Sequence, residues 1–226
     1  MSYKWDFTPV LANAPLLAEG LANTLKVTAI ALVFGVALGL LLALLRLSPR
    51  RWLGLPAGFV IEVFRTTPPL VQLCWFFFAL PLLVGIEMTP LLAAIVTFSI
   101  QSSAFFAEVF RAGILSVERG QWDGARAIGM SHAQALRRIV LPQAVVRMLP
   151  AFMERSIELM KTTTLVATIA YADLLYQANA IAQKTFRPLE TFTTAALVYF
   201  VVITGLSLLA RRLERRLAAS GDSTAH

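Results

Sequence analysis

The side chains in this sequence with the strongest claim to chemistry are four charges in an otherwise apolar stretch: Glu154, Arg155, Glu158 and Lys161 of LPAFMERSIELMKTTTLVATIAYAD. On a helix, Glu154, Glu158 and Lys161 fall in one narrow stripe, and Arg155 lies off it. Charged groups are costly in hydrocarbon, so these must face protein or water. Glu158 and Lys161 have the spacing of an intrahelical ion pair, which leaves Glu154 in need of an outside partner; Arg111 and Arg147 are candidates. Two chemistries follow. The stripe either lines a path and meets a cationic group of a cargo, such as an ammonium, or it forms salt bridges that hold helices or subunits together. Gln101, Ser102 and Ser103 present the same choice between bonding a ligand and bonding a neighbouring helix.

Covalent chemistry is not expected. Cys74 is the only cysteine, which excludes an intramolecular disulfide and a cysteine-based metal site, and it is expected to pack among aromatics. His132 and His226 lack metal-ligand spacing and are expected at the surface. There is no nucleophile elbow, no zinc-binding His-Glu-x-x-His and no phosphate-binding glycine loop. The expectation is a non-catalytic chain with no cofactor of its own.

The elements that must position these residues are membrane spans. Of 226 residues, 58% are hydrophobic, and the mean hydropathy is +0.70, which excludes an ordinary soluble domain. Residues 27–45, 88–107 and 191–210 carry no charge, and each is long enough to cross a hydrocarbon layer of about 30 Å. Pro69 to Ile86 is equally apolar and holds Trp75, Phe76, Phe77 and Phe78. The start MSYKWDFTPV lacks the order of a cleaved signal peptide, so the N-terminus is expected to be retained.

The net charge of +7 is concentrated in three clusters: Arg46, Arg50 and Arg51; Arg111 to Arg147; and Arg211, Arg212, Arg215 and Arg216. An excess of Lys and Arg marks cytoplasmic loops, which puts the N-terminus outside and the C-terminus inside. These groups beside spans fit anionic lipid better than nucleic acid. Because the second cluster and the tail both lie inside, the chain must cross outward between them, and only about residues 148–175 can do so. The expectation is a single all-α transmembrane domain over 1–226. Its spans are near 23–46, 57–86, 88–111, 148–175 and 190–211, with a cytoplasmic loop near 115–143. Within the second span, Thr66-Thr67-Pro68-Pro69 predicts a helix break, because the prolines remove donors and bias Thr67 away from helix. Glu62 lies three residues before Arg65, so the two either form a local ion pair or serve a gate or subunit contact.

The cytoplasmic loop is the most specific part of the chain. In DGARAIGMSHAQALRRIVLP, Ala125 to Ile128 favour helix and Gly129 supplies a left-handed terminator. Ser131 and Gln134 have capping-box spacing for a second helix. Pro142 marks that helix's end or the first turn of the next. The spacing resembles the EAA loop of the membrane subunits of ATP-binding-cassette importers. Asp123, Gly124 and Ala125 stand for E-A-A, Gly129 for the glycine, and Ile139, Leu141 and Pro142 for the ending. Asp replaces Glu at 123 and Gly replaces Ala at 124; Gly124 should weaken the first helix by about 1 kcal/mol.

FRTTPPLVQLCWFFFALP, from Phe64 to Pro81, is similar to the signature of the polar-amino-acid permease branch. AEVFRAGILSVERGQWDGARAIGMS, LPQAVVRMLP and TFRPLE continue the likeness over roughly residues 20–216. Lys161, Thr162, Thr163, Thr164 and Leu165 lack the acid that many relatives carry in this stretch, so no ligand contact is transferred there. The resemblance implies a type I importer fold with about five spans in a bacterial cytoplasmic (inner) membrane. It implies a path for a polar amino acid formed with a second permease copy or paralogue. Cytoplasmic ATPase subunits would hold ATP and Mg, and an extracytoplasmic solute-binding protein would deliver cargo. The coupling helix would run from Gln121 to Gly129, including Trp122, Asp123, Gly124, Ala125 and Ala127. Glu154 and Glu158 hint at a cationic cargo. The alternatives are an ion-gradient-driven secondary transporter or channel, whose internal repeat is not evident here, and a membrane scaffold.

Overall fold

The computed structural model describes residues 3–222, with side chains described through Arg212. Arg215, Arg216 and His226 therefore lie outside the described side chains. Among the described residues, nine helices follow in order: α1 Thr8–Ala12, α2 Ala14–Leu47, α3 Arg51–Thr66, α4 Pro69–Val84, α5 Pro90–Leu115, α6 Arg119–Ala127, α7 His132–Ile169, α8 Leu174–Thr185 and α9 Pro188–Asp222. No strand occurs among the described residues. α2, α5 and α9 are each long and apolar enough to cross a membrane. The pairs α3–α4 and α7–α8, each interrupted at a short break, qualify when taken together, giving up to five spans by length and composition.

Several boundaries differ from expectation. α2 begins at Ala14 rather than near 23, since the intervening PLLAEGLAN is good helix-forming sequence after its proline, which suits a first turn. The expected span near 148–175 ends its helix at Ile169, where Ala170 turns left-handed at φ 57° and Asp173 caps the next helix by accepting from the Tyr176 amide at 2.8 Å. The expected break at Thr67–Pro68 is present. Pro68 is extended (φ −58°, ψ 136°), and the Gln72 side chain donates to the Thr67 carbonyl at 2.9 Å, satisfying an acceptor that the break frees.

Two π segments interrupt these helices, Trp75–Ala79 in α4 and Leu136–Val140 in α7, and α7 closes in a 3-10 stretch over Thr163–Ile169. Each is followed closely by a proline, Pro81 and Pro142. A helical proline ring collides with the carbonyl four residues earlier. Those carbonyls belong to Phe77 and Arg138, each inside a π segment, so the widened turn makes room for the ring.

The chain forms two compact units, 1–33 with 67–99 and 157–206, and 34–66 with 100–156 and 207–226. In the first unit, Val27, Ala31, Leu73, Ala93, Phe98, Leu159 and Val166 form the main core. A second core joins Val10 and Leu17 to Leu174, Ala178 and Ile181. Gly20 allows close approach there, because a Cβ would lie 2.8 Å from the Asp173 carbonyl oxygen and 2.9 Å from Leu174 Cα. The Thr24 hydroxyl accepts from the Leu174 amide at 3.2 Å, and Thr28 and Thr163 hydroxyls meet at 3.1 Å. Glu190, fully buried, ties down the N-terminal segment. It accepts from the Tyr3 hydroxyl at 2.6 Å, the Asp6 amide at 3.0 Å and Arg187 at 3.2 Å. That contact raises the Tyr3 pKa, and bonds from Thr8 hold the Asp6 carboxyl below its usual range.

In the second unit, Ala43, Ile61, Ala104 and Ala107 form one core. Val117, Val140 and Ala144 form another, with Trp122 and Leu136 packed against it. The latter carries the polar hairpin of the loop expected near 115–143.

Candidate functional site: a docking hairpin and a charged pocket

The hairpin is built from α6, a tight turn and the start of α7. α6 begins at Arg119, two residues before the expected coupling helix, after an extended Glu118. It ends in a Schellman motif: the Gly129 amide donates to the Arg126 carbonyl at 2.9 Å and the Met130 amide to the Ala125 carbonyl at 3.0 Å. Gly129 has φ 78°, the left-handed value that the sequence assigned to it. α7 then opens with a complete capping box, the Ser131 hydroxyl accepting from the Gln134 amide at 3.3 Å and the Gln134 side chain from the Ser131 amide at 2.9 Å.

One face of α6 is pinned. Ala125 is buried, Trp122 stacks on His132 with ring centroids 4.9 Å apart, and Gln143 donates to Gln121 at 3.3 Å. His132 thus has a role that its isolated position in the sequence did not show. The other face is open. Gly120, Asp123, Gly124, Ala127 and Ile128 are exposed, and Asp123 meets Arg126 in an exposed pair at 3.7 Å. Gly124 does not break the helix, and a Cβ there would meet nothing within 4 Å. The result is a rigid hairpin with a shallow, small-residue outer surface.

Also in the second unit, a pocket of about 420 Å³ is lined by Arg65 of α3, Phe105 and Glu108 of α5, and Arg147, Glu154 and Arg155 of α7. The Arg65 and Arg155 guanidinium carbons lie 5.9 and 4.9 Å from the Phe105 ring centroid, within cation–π range. Glu108 is held by Arg111 through three contacts, the shortest 2.7 Å. Arg147 donates to the Ser116 carbonyl. Arg65 also keeps the local pair with Glu62, a loose contact of 4.0 Å.

Both arginines named as partners for Glu154 are thus engaged elsewhere. Glu154, Glu158 and Lys161 are all exposed, but Glu158 and Lys161 belong to the first unit and do not line this pocket. Gln101, Ser102 and Ser103 are 6%, 6% and 2% exposed and also do not line it, and the Ser103 hydroxyl donates to the Ile100 carbonyl of its own helix. Sequence reasoning missed Arg65, Phe105 and Arg155 as one group. The available signal was that Arg155 lies off the acidic stripe.

Comparison with known proteins agrees with this architecture. The family model described as binding-protein-dependent transport system inner membrane component matches residues 35–219. The glutamate/aspartate import permease protein of Escherichia coli is 36% identical over 226 residues, covering 96% of this chain and 100% of the relative. The putative glutamine transport system permease protein of Rickettsia bellii is 35% identical over 218 residues, covering 96% and 99%. The crystal structure of an amino acid ABC transporter with histidines superposes with a TM-score of 0.90 at 38% identity, covering 95% of this chain and all of that one. This chain therefore belongs to the family of binding-protein-dependent transport system inner membrane components.

Proposed function

We propose that this chain forms a transmembrane path for a polar amino acid, imported by ATP hydrolysis in a separate cytoplasmic ATPase that seats on the α6–α7 hairpin. The observation that carries the reading is the hairpin itself. A capped, stacked and hydrogen-bonded element presents Gly120, Gly124, Ala127 and Ile128 outward, which suits insertion into a partner's groove. Gln121, Trp122 and Ala125 face inward or brace the element, so they hold its shape, while Asp123, Gly124, Ala127 and Gly129 form its contact side and turn.

Import requires a bacterial inner membrane, a second permease copy or paralogue, and an extracytoplasmic solute-binding protein. ATP and Mg belong to the ATPase. The arginine clusters support an external N-terminus and internal C-terminus, with α3–α4 and α7–α8 each counted as one crossing. Relatives named for glutamine and for glutamate/aspartate import support the amino-acid class. Coupling requires that the ATPase hold the hairpin differently in its two nucleotide states, since equal affinity for both would shift nothing.

The test is purification of this chain in detergent with its neighbouring gene products, followed by ATPase assays with amino acids and binding protein. Co-purification with an ATPase stimulated by an amino acid supports the proposal. A chain that purifies without an ATPase, and still accumulates an amino acid in vesicles under an ion gradient, refutes it.

A further inference from the structure

Phe186 holds a backbone conformation that glycine would adopt more readily. It ends α8 at φ 54° and ψ 30°, in the left-handed region, and with Ala170 it is one of two non-glycine residues of positive φ among those described. Its side chain does not pack inside the chain to offset that cost, being 88% exposed. A strained residue with no use inside the fold points to a use outside it. Around it the backbone is fixed. Arg187 donates to the Lys4 carbonyl at 3.0 Å and to Glu190 at 3.2 Å, and the buried Glu190 also accepts from Tyr3 and the Asp6 amide. The N-terminal segment fastened in this way carries a second open aromatic surface. Trp5, 53% exposed, meets Tyr3 edge-on and stacks on Phe7, each at a centroid distance of 5.6 Å.

What covers these rings follows from α9. Its residues 191–210 carry no charge and match a hydrocarbon thickness of about 30 Å. Glu190 therefore stands at the edge of that layer with Tyr3 and Asp6 bonded to it, and Phe186 comes just before it in the chain. Arg211 and Arg212 at the other end of the run mark the cytoplasmic side, so this is the outer interface. Leu189, Leu197 and Phe200 fall on one face of α9 and are all exposed, so an apolar surface leads from mid-span to the turn. Trp and Tyr concentrate at this level in spanning proteins because their rings have an apolar body and a polar tip. Lys4 and Lys184 are exposed in the same two segments, and their stems are long enough to reach headgroup phosphates.

We propose that Trp5 and Phe186 form a lipid anchor, seated at the headgroup–acyl boundary of the outer leaflet, which sets the height and tilt of α9 in the membrane. The inference uses the external N-terminus of the reading above but neither its cargo nor its ATPase.

Nitroxide labels test it, placed at Trp5→Cys or Phe186→Cys in a Cys74→Ala chain, with the purified complex in vesicles of phosphatidylethanolamine and phosphatidylglycerol. Oxygen concentrates in lipid and a nickel chelate in water, so their collision rates report depth. Phe200→Cys serves as the hydrocarbon reference and Glu87→Cys, at an exposed position, as the aqueous one. Both anchor labels should give an oxygen-to-chelate ratio between the two references and well above the aqueous one. In a second arm, Phe186→Gly should shift the depth of the Phe200→Cys label. The same substitution should leave the thermal midpoint in detergent unchanged or raised, because glycine relieves the left-handed strain.

Anchor labels as open to chelate as Glu87→Cys would overturn the proposal, as would a Phe200→Cys depth that ignores Phe186→Gly or a midpoint that falls. Loss of both collisions would also overturn it, as the sign of a protein cover. In the complex alone that cover would be a second copy of this chain, and on addition of the binding protein it would be that protein. ATPase stimulation in the same vesicles separates this failure from failure of the importer reading. A stimulated ATPase with water-exposed labels refutes the anchor and leaves the importer standing.

Discussion

Substituting Gly129 gives a sharp test of the docking hairpin, because the backbone and partner contributions are separable. Gly129 sits at φ 78° with its amide on the Arg126 carbonyl at 2.9 Å, and a Cβ there would meet nothing within 4 Å. In the free chain, Gly129→Ala therefore pays only the left-handed penalty of a residue with a Cβ, roughly 1–2 kcal/mol. If the ATPase seats only on the formed turn, that energy should weaken docking about 5- to 30-fold. Asn and Asp tolerate the left-handed region better than Ala, so a purely backbone effect ranks Ala as the worst of the three. A tight groove reverses the order: Gly129→Asp becomes worst, because it adds volume and negative charge where the partner approaches. The assay is ATPase capture by immobilised permease at limiting ATPase concentration, with amino-acid-stimulated hydrolysis measured in parallel. Wild-type capture and coupling in both Gly129→Ala and Gly129→Asp would refute the assignment of this hairpin to docking.

Gly20→Ala should reduce the yield of monodisperse protein and lower its thermal midpoint in detergent. Its Cβ would strike backbone atoms at 2.8 and 2.9 Å, and overpacking typically costs about 1–3 kcal/mol; an unchanged midpoint would contradict the close approach. Glu190→Ala strands the Tyr3 hydroxyl, Asp6 amide and Arg187 donors, costing roughly 1–3 kcal/mol or more, so the N-terminal segment should become more sensitive to added protease than in wild type. Glu154→Gln should reduce uptake while the complex still assembles with its ATPase; loss of the assembled complex would instead favour a salt-bridge role. An N-terminal cysteine tag, labelled by an impermeant reagent in intact spheroplasts, should react from outside; labelling only after permeabilisation would overturn the topology.

The parts of the fold that were legible in the sequence are those with local causes. Gly129, Ser131 with Gln134, and the prolines at 68 and 69 each act within a few residues, so the turn, capping box and break could be read directly. The three longest apolar runs were equally plain. The pocket was less accessible because its lining comes from α3, α5 and α7, which lie far apart in sequence. Helical periodicity grouped Glu154 with Glu158 and Lys161 on one stripe, whereas the pocket takes Glu154 together with the off-stripe Arg155. The stacking of Trp122 on His132 was hidden for a similar reason, since it depends on how the hairpin closes. The extra length of α2 escaped because charge-free runs rather than the first-turn Pro15 set its expected start, and the left-handed Ala170 escaped because alanine carries no terminator signal.

The π segment at Leu136–Val140 makes the connection between hairpin and pocket a matter of residue count. A widened turn amounts to one residue more than a regular helix would use, so everything after it is rotated by about 100° relative to an uninterrupted α-helix. Arg147, Glu154 and Arg155 all lie downstream on the same helix. Their presentation to the pocket is therefore tied to the phase offset absorbed beside Pro142. Deleting one residue between Leu136 and Val140 would keep Arg147, Glu154 and Arg155 in the chain and turn all three away from the pocket. Along α7, the length of chain between the docking end and the charged end carries information independent of residue identity.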